Sequence, residues 1–274
     1  MKRAEQHLGH YHLLRLLGHG SFADVYLGEH IHLKSVAAIK MLSTHLLKEQ
    51  RENFLHEARV LAQLSHPHII RILDFGIEED IPYLVMDYAS EGSLSQRHPR
   101  NTMLPIKTVV EYVQQIGDGL QYAHDKKLIH RDLKPENILL AQNGDLLLAD
   151  FGVALIAQNT RSQDAKADFA GTALYMAPEQ LQGKPEFASD QYALGIMTYE
   201  WLSGTCPFHG TLVELYSQHS LVPPPPLREH VPSLSQEVEQ VVLRALAKDP
   251  RQRFASVKDF ARALEQAYQA SRTT

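Results

Sequence analysis

The chain has 274 residues, and its hydrophobic (44%) and charged (22%) fractions exclude a disordered or fibrous protein and allow one large domain or two lobes. The net charge of -5 leaves no basic excess, so we expect no nucleic-acid partner. The single cysteine, Cys206, cannot form an internal disulfide, and no apolar run reaches roughly 18 residues. We therefore expect a cytoplasmic protein with no membrane segment in this chain, so that any membrane tether would lie outside it.

The first third of the chain is predicted to form antiparallel strands and one helix. From Tyr11 to about Leu42, short apolar runs rich in β-branched and aromatic residues are separated by glycines. Residues 48–65 change to helical spacing, and "IIRILDFG" and "IPYLVMDY" then predict further strands. The small polar residues of "ASEGSLS" break this pattern and predict a hinge.

The remainder is predicted to be mainly helical. Apolar residues between Val109 and Ala123 recur at steps of three and four, and "DQYALGIMTYEWL" is apolar nearly all round, which predicts a buried helix. Ser256 is the candidate N-cap of "SVKDFARALEQAY". "VPPPPL" must be an extended loop, which we interpret as a loop buttress; a ligand for an SH3-type module is the alternative.

The stretch "LGHGSFADVY" is similar to a phosphate-binding loop with one substitution. Gly18 and Gly20 occupy two glycine positions of a G-x-G-x-x-G pattern, and Ala23 occupies the third. A dinucleotide-binding fingerprint would open a helix here, whereas "ADVYLGEH" is predicted to continue as a strand. Alanine costs about 1 kcal/mol at the third position if that position needs a positive φ, and nothing if φ is negative.

A hairpin is predicted in "NILLAQNGDLLLADFG". Asn143-Gly144 between apolar runs favours a two-residue type I′ turn. Counting outward from that turn places Asn137 opposite Asp150, with Cβ atoms roughly 4.5 to 5.5 Å apart. Such a pair suits Mg²⁺, which takes few protein oxygens plus substrate phosphates. Asx side chains also cap strand ends and turns, and this alternative stays open for the pair.

The segment "HRDLKPEN" leads directly into this candidate metal pair. By itself, such a density of charges indicates a solvated loop. Beside a metal, Asp132 could accept a proton from an attacking hydroxyl, and Lys134 could neutralise charge on the group being transferred.

Two opposite charges are predicted on the apolar faces of neighbouring elements. Lys40 shares a strand face with Ala38 and Leu42, and Glu57 lies on the apolar face of the next helix. Because a buried ammonium needs a partner, we expect a Lys40–Glu57 ion pair, although either side chain alone could reach solvent.

These segments, in this order, resemble the signature set of the eukaryotic-like (Hanks-type) Ser/Thr protein kinases: the glycine loop, "AAIK", "HRDLKPEN", "DFG" and "APE". The resemblance runs from end to end of the chain and implies an α+β, bilobal kinase fold. A small antiparallel sheet lobe with one helix would join a larger, mainly helical lobe. We expect one domain over 1–274, with lobes at 11–88 and 93–270 and a hinge at 89–92. "SDQYALGIMTYEWLSGTCPF" looks closest to bacterial members.

The resemblance implies transfer of the γ-phosphoryl group of ATP to Ser/Thr hydroxyls of protein substrates, with Mg²⁺ or, in its place, Mn²⁺. Asp132 would be the catalytic base, and Lys134 and the Lys40–Glu57 pair would take part in catalysis. Asn137 and Asp150 would hold the metal. The resemblance also implies which residues surround ATP: those of the glycine loop, of the apolar walls around the base, of the hinge and of the ribose contact. They are Leu17, Gly18, His19, Gly20, Val25, Ala38, Lys40, Met86, Asp87, Ala89, Ser93 and Leu139.

Further residues resemble structural and regulatory positions of the family. Asp190 would tie the catalytic loop to the central helix, and Glu179 would pair with Arg253. Arg131 directly before the catalytic aspartate is typical of kinases whose activation segment is ordered by a phosphate. We expect autophosphorylation at Thr160 or Ser162 within a transient homodimer, with Thr172 as a further regulatory residue. A segment that needs no phosphate is the alternative.

Two other function classes are considered. An inactive scaffold would normally have lost Lys40, Asp132 or Asp150, and all three are present. A small-molecule phosphotransferase would lack "GTALYMAPE", the segment that receives a protein hydroxyl. Three histidine pairs have a spacing that could bind zinc on strands, but we interpret them as surface pairs: His10 and His12, His30 and His32, His66 and His68.

Overall fold

The computed structural model describes residues 7–20, 23–43, 46, 48–151 and 171–272. Its first part is an antiparallel sheet with the strand order β1-β2-β3-β4-β6-β5. The strands are β1 (His7–Leu8), β2 (Tyr11–His19), β3 (Ala23–His30), β4 (Val36–Leu42), β5 (Ile72–Glu78) and β6 (Ile81–Met86). Helix α1 (Lys48–Ala62) lies between β4 and β5 in the chain and ends three residues before the predicted limit of 65.

The two faces of β4 belong to separate hydrophobic clusters. Ala37, Ile39 and Met41 pack on one face, and Ala38 and Leu42 pack on the other with α1. This alternation follows from the two-residue period of a strand. It places the side chain of Lys40 on the α1 side, as the sequence predicts.

The second part is helical and has a larger core. Its helices are α2 (Leu94–Arg97), α3 (Ile106–Asp125), α4 (Pro178–Leu181), α5 (Phe187–Ser203), α6 (Leu212–Leu221), α7 (Leu227–His230), α8 (Gln236–Ala245) and α9 (Val257–Ser271). Every residue of α5 from Ser189 to Leu202 is buried, because α3, α8 and α9 pack around it. The predicted buried helix is thus the axis of the lobe. Ser256 caps α9, accepting a hydrogen bond from the amide of Asp259 at 3.0 Å.

A short two-stranded sheet, β7 (Ile138–Leu140) and β8 (Leu146–Leu148), lies where the two parts meet. Leu139 bridges to Ser93 just before α2, and Leu148 bridges to Ile69 before β5. The α+β fold expected from the resemblance is confirmed. No helix of the described ranges combines the length and apolar character needed to cross a membrane.

Candidate active site

One buried carboxylate fixes the loop that carries the candidate base. Asp190, which is 1% exposed, accepts hydrogen bonds from the amides of His130 at 2.8 Å and Arg131 at 3.0 Å. Its Oδ2 also lies 2.7 Å from Nε2 of His124. These bonds hold Arg131 at φ +68, a conformation that costs a non-glycine residue about 1–3 kcal/mol unless its surroundings impose it. The expected tie between Asp190 and the catalytic loop is therefore present.

Asp132 has one engaged and one unengaged carboxylate oxygen. Its Oδ2 accepts from Nδ2 of Asn137 at 2.9 Å and lies 3.1 Å from Nζ of Lys134. Its Oδ1 is buried and has no hydrogen-bond partner among the described residues. The Lys134 ammonium also donates to Oγ1 of Thr172 at 2.8 Å. A carboxylate with a spare acceptor oxygen, held beside a cation, is suited to accept a proton from a nearby hydroxyl.

The hairpin that follows this loop forms with a turn different from the predicted one. Gly144 donates its amide to the carbonyl of Ala141 at 3.0 Å, and of the three loop residues 142–144 only Gly144 has a positive φ, +87. A type I′ turn would need a positive φ at Asn143 as well. Instead, Oδ1 of Asn143 accepts the amide of Asp145 at 3.1 Å, which stabilises the longer loop.

The longer loop shifts the strand register by one residue. Ile138 is opposite Leu148, and the amide of Ala149 donates to the carbonyl of Asn137 at 2.9 Å. The predicted cross-strand pairing of Asn137 with Asp150 is therefore wrong. Asn137 faces Ala149, because one extra loop residue moves every pair along the ladder.

Asn137 and Asp150 nevertheless have side chains that fit a magnesium ion. Nδ2 of Asn137 donates to the carbonyl oxygen of Asp132 at 2.8 Å as well as to its carboxylate. Because both partners are acceptors, the amide orientation is fixed, and no hydrogen bond among the described residues uses its Oδ1. Burial would raise the pKa of Asp150, but the adjacent Lys40 ammonium outweighs it and lowers that pKa. An ionised carboxylate and an amide oxygen are ligands that Mg²⁺ prefers.

Lys40 pairs with Asp150 rather than with Glu57. Its Nζ lies 2.8 Å from Oδ1 of Asp150, and no ion pair between Lys40 and Glu57 occurs among the described residues. Burial raises the pKa of Glu57, and the opposing effect comes first from the Arg131 guanidinium, with a smaller one from His56. The predicted Lys40–Glu57 pair is thus wrong for this conformation. The strand and helix patterns assign each charge to a face, but the packing of α1 on the sheet decides which charges meet.

The apolar residues implied to surround adenine come together between the sheet and β7. Ala38 and Met86 are buried in one cluster, and three partly buried side chains pack against it, those of Leu17, Val25 and Leu139. The amide of Asp87 donates to the carbonyl of Arg71 at 3.0 Å, whereas the amide of Ala89 donates to no acceptor among the described residues. The apolar slot and a free hinge amide are compatible with a planar base.

Ser93 has a structural role that the sequence did not predict. It is the N-cap of α2, accepting from the amide of Gln96 at 3.4 Å, and its Oγ lies 2.8 Å from Oγ of Ser95. Its contact with a ribose stays a prediction.

The glycine loop connects β2 and β3, as predicted. Gly20 donates its amide to the carbonyl of Ala23 at 3.0 Å, and none of Gly18, Gly20 and Ala23 has a positive φ. The position of the missing third glycine therefore imposes no strain on alanine. His19 lies at the loop, with its Nδ1 2.5 Å from Oδ1 of Asp24.

The segment after residue 171 is anchored at two points. Thr172 is held by Lys134, and Glu179 forms a bidentate pair with Arg253 at 2.7 and 2.9 Å, as expected. Thr160 and Ser162 lie outside the described residues.

Two histidines near the site were missed by the sequence interpretation. His130 is fully buried, with its Nε2 2.9 Å from the carbonyl of Ala149 and its ring 4.5 Å from that of Phe151. His124 contacts Asp190 from the last turn of α3. The position of His130 next to Arg131 was the available signal, whereas nothing local distinguishes His124.

The histidine pairs form no metal site within the ranges that the structure describes, where no group of three or more His, Cys, Asp or Glu side chains could hold an ion. His30 and His66 use Nδ1 to accept nearby backbone amides instead.

Comparisons with known proteins agree with this geometry. Residues 11–268 match the family described as "Protein kinase domain". The serine/threonine-protein kinase Pkn1 of Myxococcus xanthus is 39% identical over 266 residues, covering 94% of this chain and 38% of Pkn1. PrkC of Bacillus subtilis is 35% identical, covering 96% of this chain and 41% of PrkC. This chain thus spans about two fifths of these relatives.

Among solved structures, a single-residue variant of the Mycobacterium tuberculosis PknI kinase domain superposes with a TM-score of 0.77 at 31% identity. The alignment covers 98% of this chain and 99% of that chain.

Proposed function

The chain belongs to the protein kinase family, and from that membership and the geometry of the site we propose that it transfers the γ-phosphoryl group of ATP to Ser/Thr hydroxyls of proteins. The observation that supports this most directly is the group formed by Asp132, Lys134 and Thr172. Contacts of 3.1 and 2.8 Å join the carboxylate of the candidate base, a cation and the acceptor segment 171–176, and the other oxygen of that carboxylate, Oδ1, stays without a partner among the described residues.

Each side chain has a role set by its position. Asp132 accepts the proton of the attacking hydroxyl through Oδ1, and Lys134 neutralises charge on the phosphoryl group in transfer. The ammonium of Lys40 contacts Asp150, and it can give up part of this contact to bind the phosphates of ATP. Leu17, Val25, Ala38, Met86 and Leu139 exclude water from the base.

Asn137 and Asp150 would hold Mg²⁺, which would neutralise negative charge on the phosphates during transfer; Mn²⁺ has the same preference for oxygen and could substitute. Asp132 orients the amide of Asn137, and Lys40 keeps Asp150 ionised, so both side chains present oxygen atoms suited to a cation.

The experiment is a phosphotransfer assay with a generic basic protein as acceptor. Asp132→Asn keeps the shape of the side chain but removes its basicity, so we expect transfer to fall by at least about 10²-fold while nucleotide binding is retained. Asp125→Asn, an exposed carboxylate at the end of α3, is the matched control and should stay within about twofold. Equal rates for wild type and Asp132→Asn would refute the proposal.

We also propose that the activation segment is autophosphorylated at Thr160 or Ser162 within a transient homodimer in the cytoplasm. Nε of Arg131 is buried and has no hydrogen-bond partner among the described residues. This unused donor supports the proposal, because a phosphate group on the segment could accept a hydrogen bond from it. Mass spectrometry after incubation with Mg-ATP should find phosphate on one of the two residues, at a rate that rises with protein concentration. Absence of phosphate from both would exclude this regulation without affecting the transfer proposal.

A further inference from the structure

A buried polar network lies beneath the acceptor segment 171–176 and contains no carboxylate. His219 on α6 is 0% exposed, and its Nδ1 lies 2.9 Å from the hydroxyl of Tyr192 on α5. Nζ of Lys248 lies 3.5 Å from the same hydroxyl and donates to the carbonyl of Gln218 at 3.0 Å. The ring of Phe208 closes the group, 4.8 Å from the His219 ring and 4.3 Å from the Lys248 ammonium.

These hydrogen bonds favour one tautomer of His219. An ammonium only donates, so the Tyr192 oxygen accepts from Lys248, and the acceptor that lies next to the hydroxyl's own hydrogen among the described residues is Nδ1 of His219. Burial, and then the Lys248 ammonium, lower the pKa of His219 to about 4, so the ring is neutral near pH 7. A neutral ring that accepts at Nδ1 carries its hydrogen on Nε2.

That Nε2–H is buried and makes no hydrogen bond of normal geometry among the described residues. The backbone of Leu174 and Ala173 faces the ring closely enough to oppose the fall in its pKa. An unused buried donor costs free energy, which is recovered once a carbonyl moves into line with it. The backbone that acts on the ring belongs to two residues of segment 171–176, Ala173 and Leu174.

We propose that His219 is a positioning residue for the protein substrate. Its Nε2–H holds the backbone of Ala173 and Leu174, in the acceptor segment 171–176, in the position where the substrate protein docks. Tyr192 and Lys248 orient the ring, and none of the three residues belongs to the set implied to surround ATP. The inference rests on the proposed kinase function, because it concerns the protein-binding side of the same site.

The test separates binding of protein from binding of nucleotide. His219→Phe keeps the ring and removes both nitrogens, and we expect the KM for protein substrate to rise about tenfold. The KM for ATP and the slow hydrolysis of ATP without acceptor should stay within about twofold. His219→Gln places an amide donor near the Nε2 position and should bring the KM for protein back to within about threefold of wild type.

Two further variants keep the result decisive. If His219→Phe does not fold, Tyr192→Phe removes only the orienting hydroxyl and should raise the same KM several-fold. Phe260→Leu, a buried change in α9 away from the segment, controls for loss of stability alone and should leave that KM unchanged. An unchanged KM for protein in His219→Phe, or an equal loss in all three measurements, overturns the inference. Absence of transfer in the wild type would instead refute the proposed function.

Discussion

Replacement of Arg253 by methionine should destabilise the protein far more than the same replacement of Arg251. The Arg253 side chain is 0% exposed and pairs with Glu179 in a bidentate arrangement. It also donates to the carbonyls of Ala247, Ala188 and Lys248. Removing one member of a buried pair leaves the other charge uncompensated, which costs about 3–5 kcal/mol. Arg251 is 88% exposed in its pair with Asp249, where water already screens the charges, so its loss should leave stability nearly unchanged.

Urea denaturation of single and double variants tests the reasoning through the sign of one effect. Glu179→Gln should destabilise the wild type, since it leaves Arg253 without its anion. In the Arg253→Met background the same change removes an unpaired buried charge and should increase stability. If Glu179→Gln has the same sign in both backgrounds, or the two effects add within about 0.5 kcal/mol, the buried pair is not the cause.

The pair also predicts how stability depends on pH. Burial raises the pKa of Glu179, but Arg253 outweighs it and holds that pKa below its usual value. The stabilisation is therefore present above the unfolded pKa and is lost as the pH falls through the folded one. The stability difference between wild type and Arg253→Met should shrink in acid, and a difference that grows there would contradict this assignment.

Three other changes are predicted. Ala23→Gly should keep turnover within about tenfold in a phosphotransfer assay and lower the free energy of unfolding by about 1 kcal/mol, because Ala23 is 5% exposed in a strand and free of φ strain. Gly144→Ala should cost about 1–2 kcal/mol in urea denaturation from its φ of +87 alone, since an added Cβ meets no atom within 4 Å; no loss would refute the turn assignment. Burial, and then the charge of Arg253, lower the pKa of Lys248 from 10.5 to about 8 in the folded protein. Between about pH 8 and 10.5 the unfolded chain therefore binds more protons than the folded one, and the free energy of unfolding should rise with pH over this range. In Lys248→Met that rise should be smaller when melts are compared across this pH range, and an identical rise would refute the cause.

The sequence by itself predicted features that depend on near neighbours in the chain. The period of apolar residues identified the regions of the sheet from Tyr11 onward, the face of β4 that carries Lys40 and the buried helix α5, although it gave no sign of β1. The segment "HRDLKPEN" identified Asp132 and Lys134, which the structure joins at 3.1 Å. These features follow from local steric and burial rules, which act within a few residues and leave a visible pattern.

Tertiary structure decided which distant groups meet. One extra loop residue at Gly144 moved Asn137 away from its predicted partner, and the packing of α1 left Glu57 near Arg131 while Lys40 paired with Asp150. A turn that is longer by one residue or a helix placed differently on a sheet changes every long-range contact without changing any local pattern. For the same reason, the network of His219, Tyr192 and Lys248 left no sign in the sequence, since its members lie on separate elements that only the folded lobe brings together.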